Sequence, residues 1–382
     1  MAGQDDGDDS RAARRAAVLA AGSAVLGRQL TRPESLRDSE WTVVLRCADD
    51  AGPDGGRGTV IVKAYPPGPD GEHGFAAEAT GLAVASDTGL APQLLAADPG
   101  SQTVVLSDLG RAPSLADALL GSGRDGAAQA LLDWADACGR LAVAMAGREP
   151  WLARLRREQA GREPADASLA GLRQRVLGVA GRAALAGVRA PDGLDAELAA
   201  VAAAVASPDY LVFSPGDICP DNNLLTQGGT RFIDFEESGY HPAFLDAAYL
   251  RMPFSTCWCA FRLPAGLRDA AEDRYRAQVA RIWPLLADDS TWQRGVRHAV
   301  AAWSLSSMWW LLRRALAGDA SLEPDAVAAP CARQLMRHRW QVLAAELEVG
   351  GELPAIAAMA RALLAATAGW QASELPLYPA LR

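Results

Sequence analysis

The sequence predicts an α+β protein of two lobes, a small sheet-rich lobe over residues 1–110 and a large helical lobe over residues 111–382. Three observations carry that reading. β-prone runs gather before residue 110, at positions 41–46, 59–65, 93–98 and 103–106. Beyond Gly110 the composition turns to Ala, Leu, Arg and Trp at helical spacing. That pattern is interrupted once, at residues 210–246, by a short strand, a turn-rich loop and a hairpin. A chain of 382 residues, half of them apolar, can bury a core large enough for two lobes.

In chain order, the acidic residues 1–10 are expected to be disordered, and residues 12–30 read as a helix of Ala, Leu and Arg. The runs at 41–46 and 59–65 are expected to pair across the acidic, Gly-rich connection at 48–58. A helix is expected at 75–86, then a second hairpin through Pro99, Gly100 and Ser101. Ser114 and Asp117 have the spacing of a capping box opening a helix at 115–120. Helices follow at 126–146, 151–159, 167–185 and 194–206, with no fixed-period repeat.

Residues 210–213 form an apolar run that ends in Ser214, Pro215 and Gly216, so the next residue, Asp217, is presented by a loop rather than buried in a strand. The runs at 224–226 and 230–233 flank Gln227, Gly228 and Gly229, a link suited to a hairpin. Arms this short, at about 3.3 Å per residue, bring Asn222 and Asp234 to the same end, beside Asp217. Oxygen ligands of this kind, with room left for phosphate and water, suit Mg²⁺.

Asp217, four intervening residues, Asn222 and then Ile233-Asp234-Phe235 have the spacing of a kinase catalytic loop and its metal-binding aspartate. In the form GDICPDNNLL followed by FIDFE, the stretch resembles the aminoglycoside phosphotransferase and choline kinase-like family, small-molecule kinases with a protein-kinase-like fold. The resemblance implies that Asp217 is the catalytic base and that Asn222 and Asp234 hold Mg²⁺. It further implies that Asp246, in the apolar segment 244–250, bonds the backbone of the catalytic loop. The family usually has His before the Gly-Asp pair; Pro215 stands there in this chain, which bears on the geometry of the loop.

Lys63 is the only lysine in the chain, the other 36 of the 37 basic residues being arginine. It ends a Val-Ile-Val run, where the kinase pattern places the lysine that holds the α and β phosphates of ATP, and arginine does not imitate its compact charge. By the same resemblance, Glu78 pairs with Lys63. The hinge is Asp108, Leu109 and Gly110, whose backbone would bond adenine. The glycine-free stretch 34–39, with Ser39, is expected to cover the phosphates ahead of the first strand.

A net charge of −9 excludes nucleic acid and anionic membrane as main partners and is compatible with a cationic acceptor. Cys47, Cys138, Cys219, Cys257, Cys259 and Cys331 read as reduced thiols of a cytoplasmic protein, since Cys257-Trp-Cys259 lacks the two-residue gap of zinc and redox pairs. Residues 14–27 resemble a targeting segment only superficially, because the opening is acidic. No run approaches the roughly 18 apolar residues of a membrane span. The four histidines are scattered, and no serine or cysteine nucleophile motif is present, which sets aside hydrolase and metalloenzyme chemistry. Aromatic residues at 257–261 and 303–310 are candidates for an acceptor pocket, and Asp269, Glu272 and Asp273 read as a solvated helix face. The expected activity is transfer of the γ-phosphate of ATP to a hydroxyl of a small molecule such as an aminoglycoside, amino sugar or amino alcohol. Two alternatives share these motifs: a kinase of Ser or Thr in a natural-product precursor peptide, and an inactive relative that only binds nucleotide.

Overall fold

An Ala-rich N-terminal sequence propagates helix readily, and in the computed structural model it forms α1, Asp5–Leu26. The structure describes residues 5–50, 58–160, 167–323, 326 and 328–382. Residues 51–57 of the acidic connection and 1–4 of the acidic opening lie outside them. The expectation of disorder through residue 10 is overturned from Asp5 onward, because an acidic sequence suits the positive end of a helix. The helix ends at Leu26 rather than residue 30, and a strand absent from the sequence reading begins there: β1, Leu30–Asp38.

β1 escapes a pattern search for a physical reason. It is an edge strand, mostly exposed, with Pro33 inside it and two breaks in register against its neighbour; edges tolerate proline and need no apolar alternation. The neighbour β2, Val43–Asp49, alternates strictly, with Val43, Leu45, Cys47 and Asp49 buried. It pairs with β3, Gly58–Ala64. Helix α2, Pro69–Ala85, follows, and then the hairpin of β4, Leu94–Asp98, and β5, Thr103–Ser107. The antiparallel order is β1-β2-β3-β5-β4. α1 covers one face: Val18 packs on Val43, Leu45, Cys47, Val60, Val62 and Val105. Gly22 permits the approach, since a Cβ there would lie 2.7 Å from both Cγ atoms of Val62.

The second lobe runs through α3, Leu115–Leu120, with the expected Ser114–Asp117 capping box, and α4, Arg124–Met145. Next come α5, Glu149–Ala160, α6, Ala167–Leu177, α7, Val179–Leu185, and α8, Leu194–Val205. The single helix expected at 167–185 is thus divided at Gly178. β6, Leu211–Ser214, pairs with β9, Gly239–Pro242, and β7, Asn223–Thr226, pairs with β8, Gly229–Phe232, as the expected hairpin. The remainder is α9, Phe244–Arg251, α10, Ala265–Val279, α11, Asp289–Ala317, α12, Ala332–Gly350, and α13, Pro354–Ala366. Among the described residues, no helix is long and apolar enough to cross a membrane.

One sequence expectation fails here. Glu272 is not on a solvated face: it is buried, receives Arg251 through both Nε and Nη2 at 2.7 and 2.6 Å, and accepts the Trp292 indole at 2.7 Å. Trp303 and Trp309 tie helices together, donating to the carbonyls of Leu245 and Arg175.

Candidate active site

Alternation along β3 sends Val60 and Val62 to the α1 face and Lys63 to the other, where α2 packs. Lys63 is 5% exposed, so the idea of a solvated strand-end lysine does not apply. Its Nζ donates to Glu78 Oε2 at 3.1 Å and to Asp234 Oδ1 at 2.5 Å, and lies 3.2 Å from Glu236 Oε2. Glu78 also accepts the Tyr65 hydroxyl at 3.2 Å and the Phe235 amide at 2.6 Å. One helix residue therefore clamps the sheet to the segment that carries Asp234.

Three carboxylates around one ammonium leave an excess of negative charge in a largely buried site. Burial opposes the ammonium, but Asp234 and Glu78 override it and hold the Lys63 pKa well above its ordinary value. Burial likewise acts on Asp234, where Lys63 and then Arg37 prevail and keep the carboxyl below its usual range. Burial pushes Glu78 up, and it pushes Glu236 up to about 7, with Asp234 and Glu78 adding repulsion. A divalent cation is what this charge balance lacks, so the oxygen donors of Asp234 and Asn222 fit Mg²⁺ by both type and charge.

The catalytic loop leaves β6 at Ser214. Gly216 has φ 93°, and a Cβ on it would stand 2.1 Å from the Glu237 carbonyl oxygen. Asp246 braces this turn, although not through the backbone as expected: its Oδ1 accepts the Ser214 hydroxyl at 3.0 Å, and that hydroxyl accepts the Gly216 amide at 3.1 Å. His241 Nε2 lies 2.9 Å from the same carboxylate oxygen. The brace thus comes from β9 and α9, while Pro215 is buried in the turn itself.

Asp217 accepts the Thr256 hydroxyl at 2.7 Å and the Asn222 amide at 3.3 Å; Asn222 also donates to the Asp217 carbonyl at 3.1 Å. Burial raises the Asp217 pKa, with Asp234 and Asp221 adding to it against the bonds from Cys219 and Thr256. The hairpin does what its length implies: the Ile233 amide donates to the Asn222 carbonyl at 2.9 Å, seating Asn222 next to Asp234, whose φ is 66°. Turned by its amide toward Asp217, Asn222 keeps its own oxygen for the cleft.

The remaining expected residues lie in the β1–β2 turn and just after β5, where their polar groups are engaged locally. Residues 34–38 belong to β1, and Ser39 closes the β1–β2 turn, its hydroxyl accepting the Trp41 and Thr42 amides at 3.2 and 3.1 Å. At the hinge, the Asp108 carboxylate accepts Arg46, Thr59 and the Gly110 amide, and the Gly110 carbonyl accepts Arg46. The sequence reading missed Arg37, 3.9 Å from Asp234 Oδ2, as well as Glu236, Thr256 and Asp221. Glu236 was within reach, two residues after a proposed metal ligand; Thr256 arrives from a loop with no motif.

A sheet-borne lysine clamped by a helix glutamate, facing an Asp–Asn–Asp set, is kinase geometry. Residues 52–288, well over half of the chain, match the model of the phosphotransferase enzyme family. The chain belongs to that family. It is a phosphotransferase whose acceptor is a hydroxyl, on a kinase-like fold of two lobes. Among solved structures, it is similar to a choline/ethanolamine kinase family protein from Mesorhizobium loti, with 18% identity, TM-score 0.50, and coverage of 94% of this chain and 99% of that one. It is also similar to a choline kinase from Cryptosporidium parvum, with 15% identity, TM-score 0.53, and coverage of 85% and 91%. At these identities the likeness speaks for the fold of this family member. A search of curated proteins finds no match.

Proposed function

We propose that the protein transfers the γ-phosphate of ATP, bound with Mg²⁺, to a hydroxyl of a small molecule of the aminoglycoside, amino-sugar or amino-alcohol kind. The observation that carries this is the 2.5 Å contact between Lys63 and Asp234, which joins the sheet to the catalytic segment across 171 positions of sequence. Lys63 would hold the α and β phosphates, with Glu78 fixing its ammonium. Asn222 and Asp234 would hold Mg²⁺, which supplies neutralisation of phosphate charge. Asp217, kept in place by Thr256 and Asn222, would orient the acceptor hydroxyl and accept its proton. The raised pKa of Asp217 suits a base, because a more basic carboxylate takes a proton more readily.

With Gly110 engaged on both its backbone groups, adenine would be read by Asp108 and Leu109. The Ser39 hydroxyl is engaged within its turn, so the turn's backbone would face the phosphates. Residues 1–110 would act as the nucleotide lobe and 111–382 as the lobe carrying the acceptor. The names of the similar choline and ethanolamine kinases support an amino-alcohol acceptor, and six free thiols suit a reducing, cytoplasmic setting.

Saturating Mg-ATP is expected to raise the melting temperature, as any ligand of the folded state does. ADP formation is then expected with at least one member of a panel of aminoglycosides, amino sugars and choline-like alcohols. An unchanged melting temperature would remove the nucleotide site. Stabilisation without turnover on that panel, but with turnover on Ser- or Thr-containing peptides, would replace the acceptor class.

A further inference from the structure

On the far side of the catalytic loop from Lys63, three cysteines meet that the sequence keeps apart. Cys219 follows the catalytic aspartate by two residues, while Cys257 and Cys259 come from the connection after α9. The sulfurs of Cys219 and Cys257 and a carboxylate oxygen of Asp221 lie within 4.8 Å of one another. Cys257 Sγ is 3.7 Å from Asp221 Oδ1 and 3.0 Å from Cys259 Sγ. All three thiols are buried, at 3, 5 and 0% exposure.

We propose that Cys219, Asp221, Cys257 and Cys259 form a tetrahedral site for a thiophilic divalent cation of the Zn²⁺ kind. With Zn–S near 2.3 Å, ligand atoms around a tetrahedral ion stand roughly 3.8 Å apart, close to the Cys257–Asp221 separation. The Cys257–Cys259 pair must open, and Cys259 Sγ, which stands outside the 4.8 Å cluster of the other three ligand atoms, must close on them. The surroundings are arranged as outer support for such ligands. Trp258 Nε1 donates to Asp221 Oδ2 at 3.0 Å, leaving Oδ1 toward the sulfurs, and the Cys259 amide donates to Cys257 Sγ at 3.4 Å.

An independent observation points to negative charge here. Arg339 is 1% exposed; its Nη2 donates to the Ser255 carbonyl at 2.6 Å, but its Nε and Nη1 have no hydrogen-bond partner among the described residues. Its electrostatic neighbours are Cys219, Tyr249 and Cys257. A buried guanidinium left uncompensated is costly. On metal binding each ligating thiol gives its proton to solvent, and three thiolates with a carboxylate exceed the charge of a dication, so Arg339 gains the anionic partner it lacks.

The consequence for catalysis, which rests on the role proposed for Asp217, is positional. The ion would tie the 255–259 segment to the catalytic loop and hold Thr256, whose hydroxyl bonds Asp217 at 2.7 Å and lies 3.1 Å from Cys219 Sγ.

The test is a Cd²⁺ titration of the reduced, metal-free full chain, read by thiolate-to-metal charge-transfer absorption. The band is expected to saturate at one equivalent, to be displaced by Zn²⁺, to vanish in Cys257→Ser and to persist in Cys331→Ser. Should Cys257→Ser fail to fold, Asp221→Asn is expected to weaken Cd²⁺ binding at least about ten-fold, the order found when a metal site loses a supporting group. No band in the wild type, or a band untouched by both variants, overturns the site. The absorption needs no phosphoryl transfer. A flat titration beside intact Mg-ATP stabilisation therefore removes the metal site alone, and a saturable band without Mg-ATP stabilisation leaves it standing while the nucleotide reading fails.

Discussion

The catalytic loop has two unlike sides. Toward the sheet, Asp217 and Asn222 look onto Lys63, Asp234, Glu236 and Glu78, a set held together by opposed charges. Toward the helical lobe, Asp217 and Cys219 of the same loop meet the Thr256 hydroxyl, which also meets Tyr249, a set held by burial and one short hydroxyl bond. The first side answers to charge; the second sets position. A substitution on either side should therefore fail in its own way.

Asp217 stands between the two and should show the largest effect. Asp217→Asn is expected to lower turnover by about 10²-fold to 10⁴-fold, the range for loss of a general base, while Mg-ATP still stabilises the fold. Normal turnover by this variant with a true acceptor would dissolve the distinction between the sides. Next comes Lys63→Arg. A planar guanidinium cannot centre its charge among three carboxylates, and misplacement near 1 Å costs on the order of 100-fold in rate. Because the site is buried, the larger side chain should also destabilise, by about 1–3 kcal/mol as overpacking does. Thermal melts and steady-state kinetics check both parts, and near-normal values in both would make the lone lysine an accident of composition.

A subtler difference is expected on the other side. Thr256→Val removes a bond that lowers the Asp217 pKa, so the carboxyl should titrate higher. A hydrogen bond to a charged group contributes about 1.5–3 kcal/mol, which places the acid limb of the kcat profile about one to two pH units higher, with KM for ATP unmoved. A shift in KM for ATP instead would mean that Thr256 belongs to the charged side.

The smallest effect concerns Glu236. Its folded pKa is about 7 against an ordinary 4.5, so the folded state holds a proton that the unfolded state has released. Its contribution to stability is present in full below about pH 4.5 and is lost as pH rises through about 7. The melting temperature of the nucleotide-free protein should fall over that window, and Glu236→Gln should flatten the fall. An unaltered slope in the variant would locate the titration elsewhere among the carboxylates.

Motif spacing was enough to find Asp217, Asn222 and Asp234, because a hairpin of three- or four-residue arms leaves little freedom in where its ends meet. Composition singled out Lys63, and helix periodicity supplied α2 with Glu78 upon it. What stayed illegible had no local signature. β1 is an edge strand with no alternation to detect, β9 is a four-residue strand that pairs with β6, and Thr256 sits in a connection after α9. The Ser39 and Gly110 assignments needed knowledge of which backbone groups were already bonded.

The sequence by itself determined the two-lobed fold class, most elements of the sheet-rich half and the acids that the 210–246 stretch carries, since periodicity and turn chemistry act over a few residues. Tertiary structure alone decided that Asp246 braces the loop through Ser214, that Glu272 is a buried ion-pair partner, and that Cys219 and Cys257, 38 positions apart, meet in one cluster. Each of these depends on which long-range surfaces pack together, and burial changes what a carboxyl or a thiol does by removing the water that would otherwise make its neighbours irrelevant.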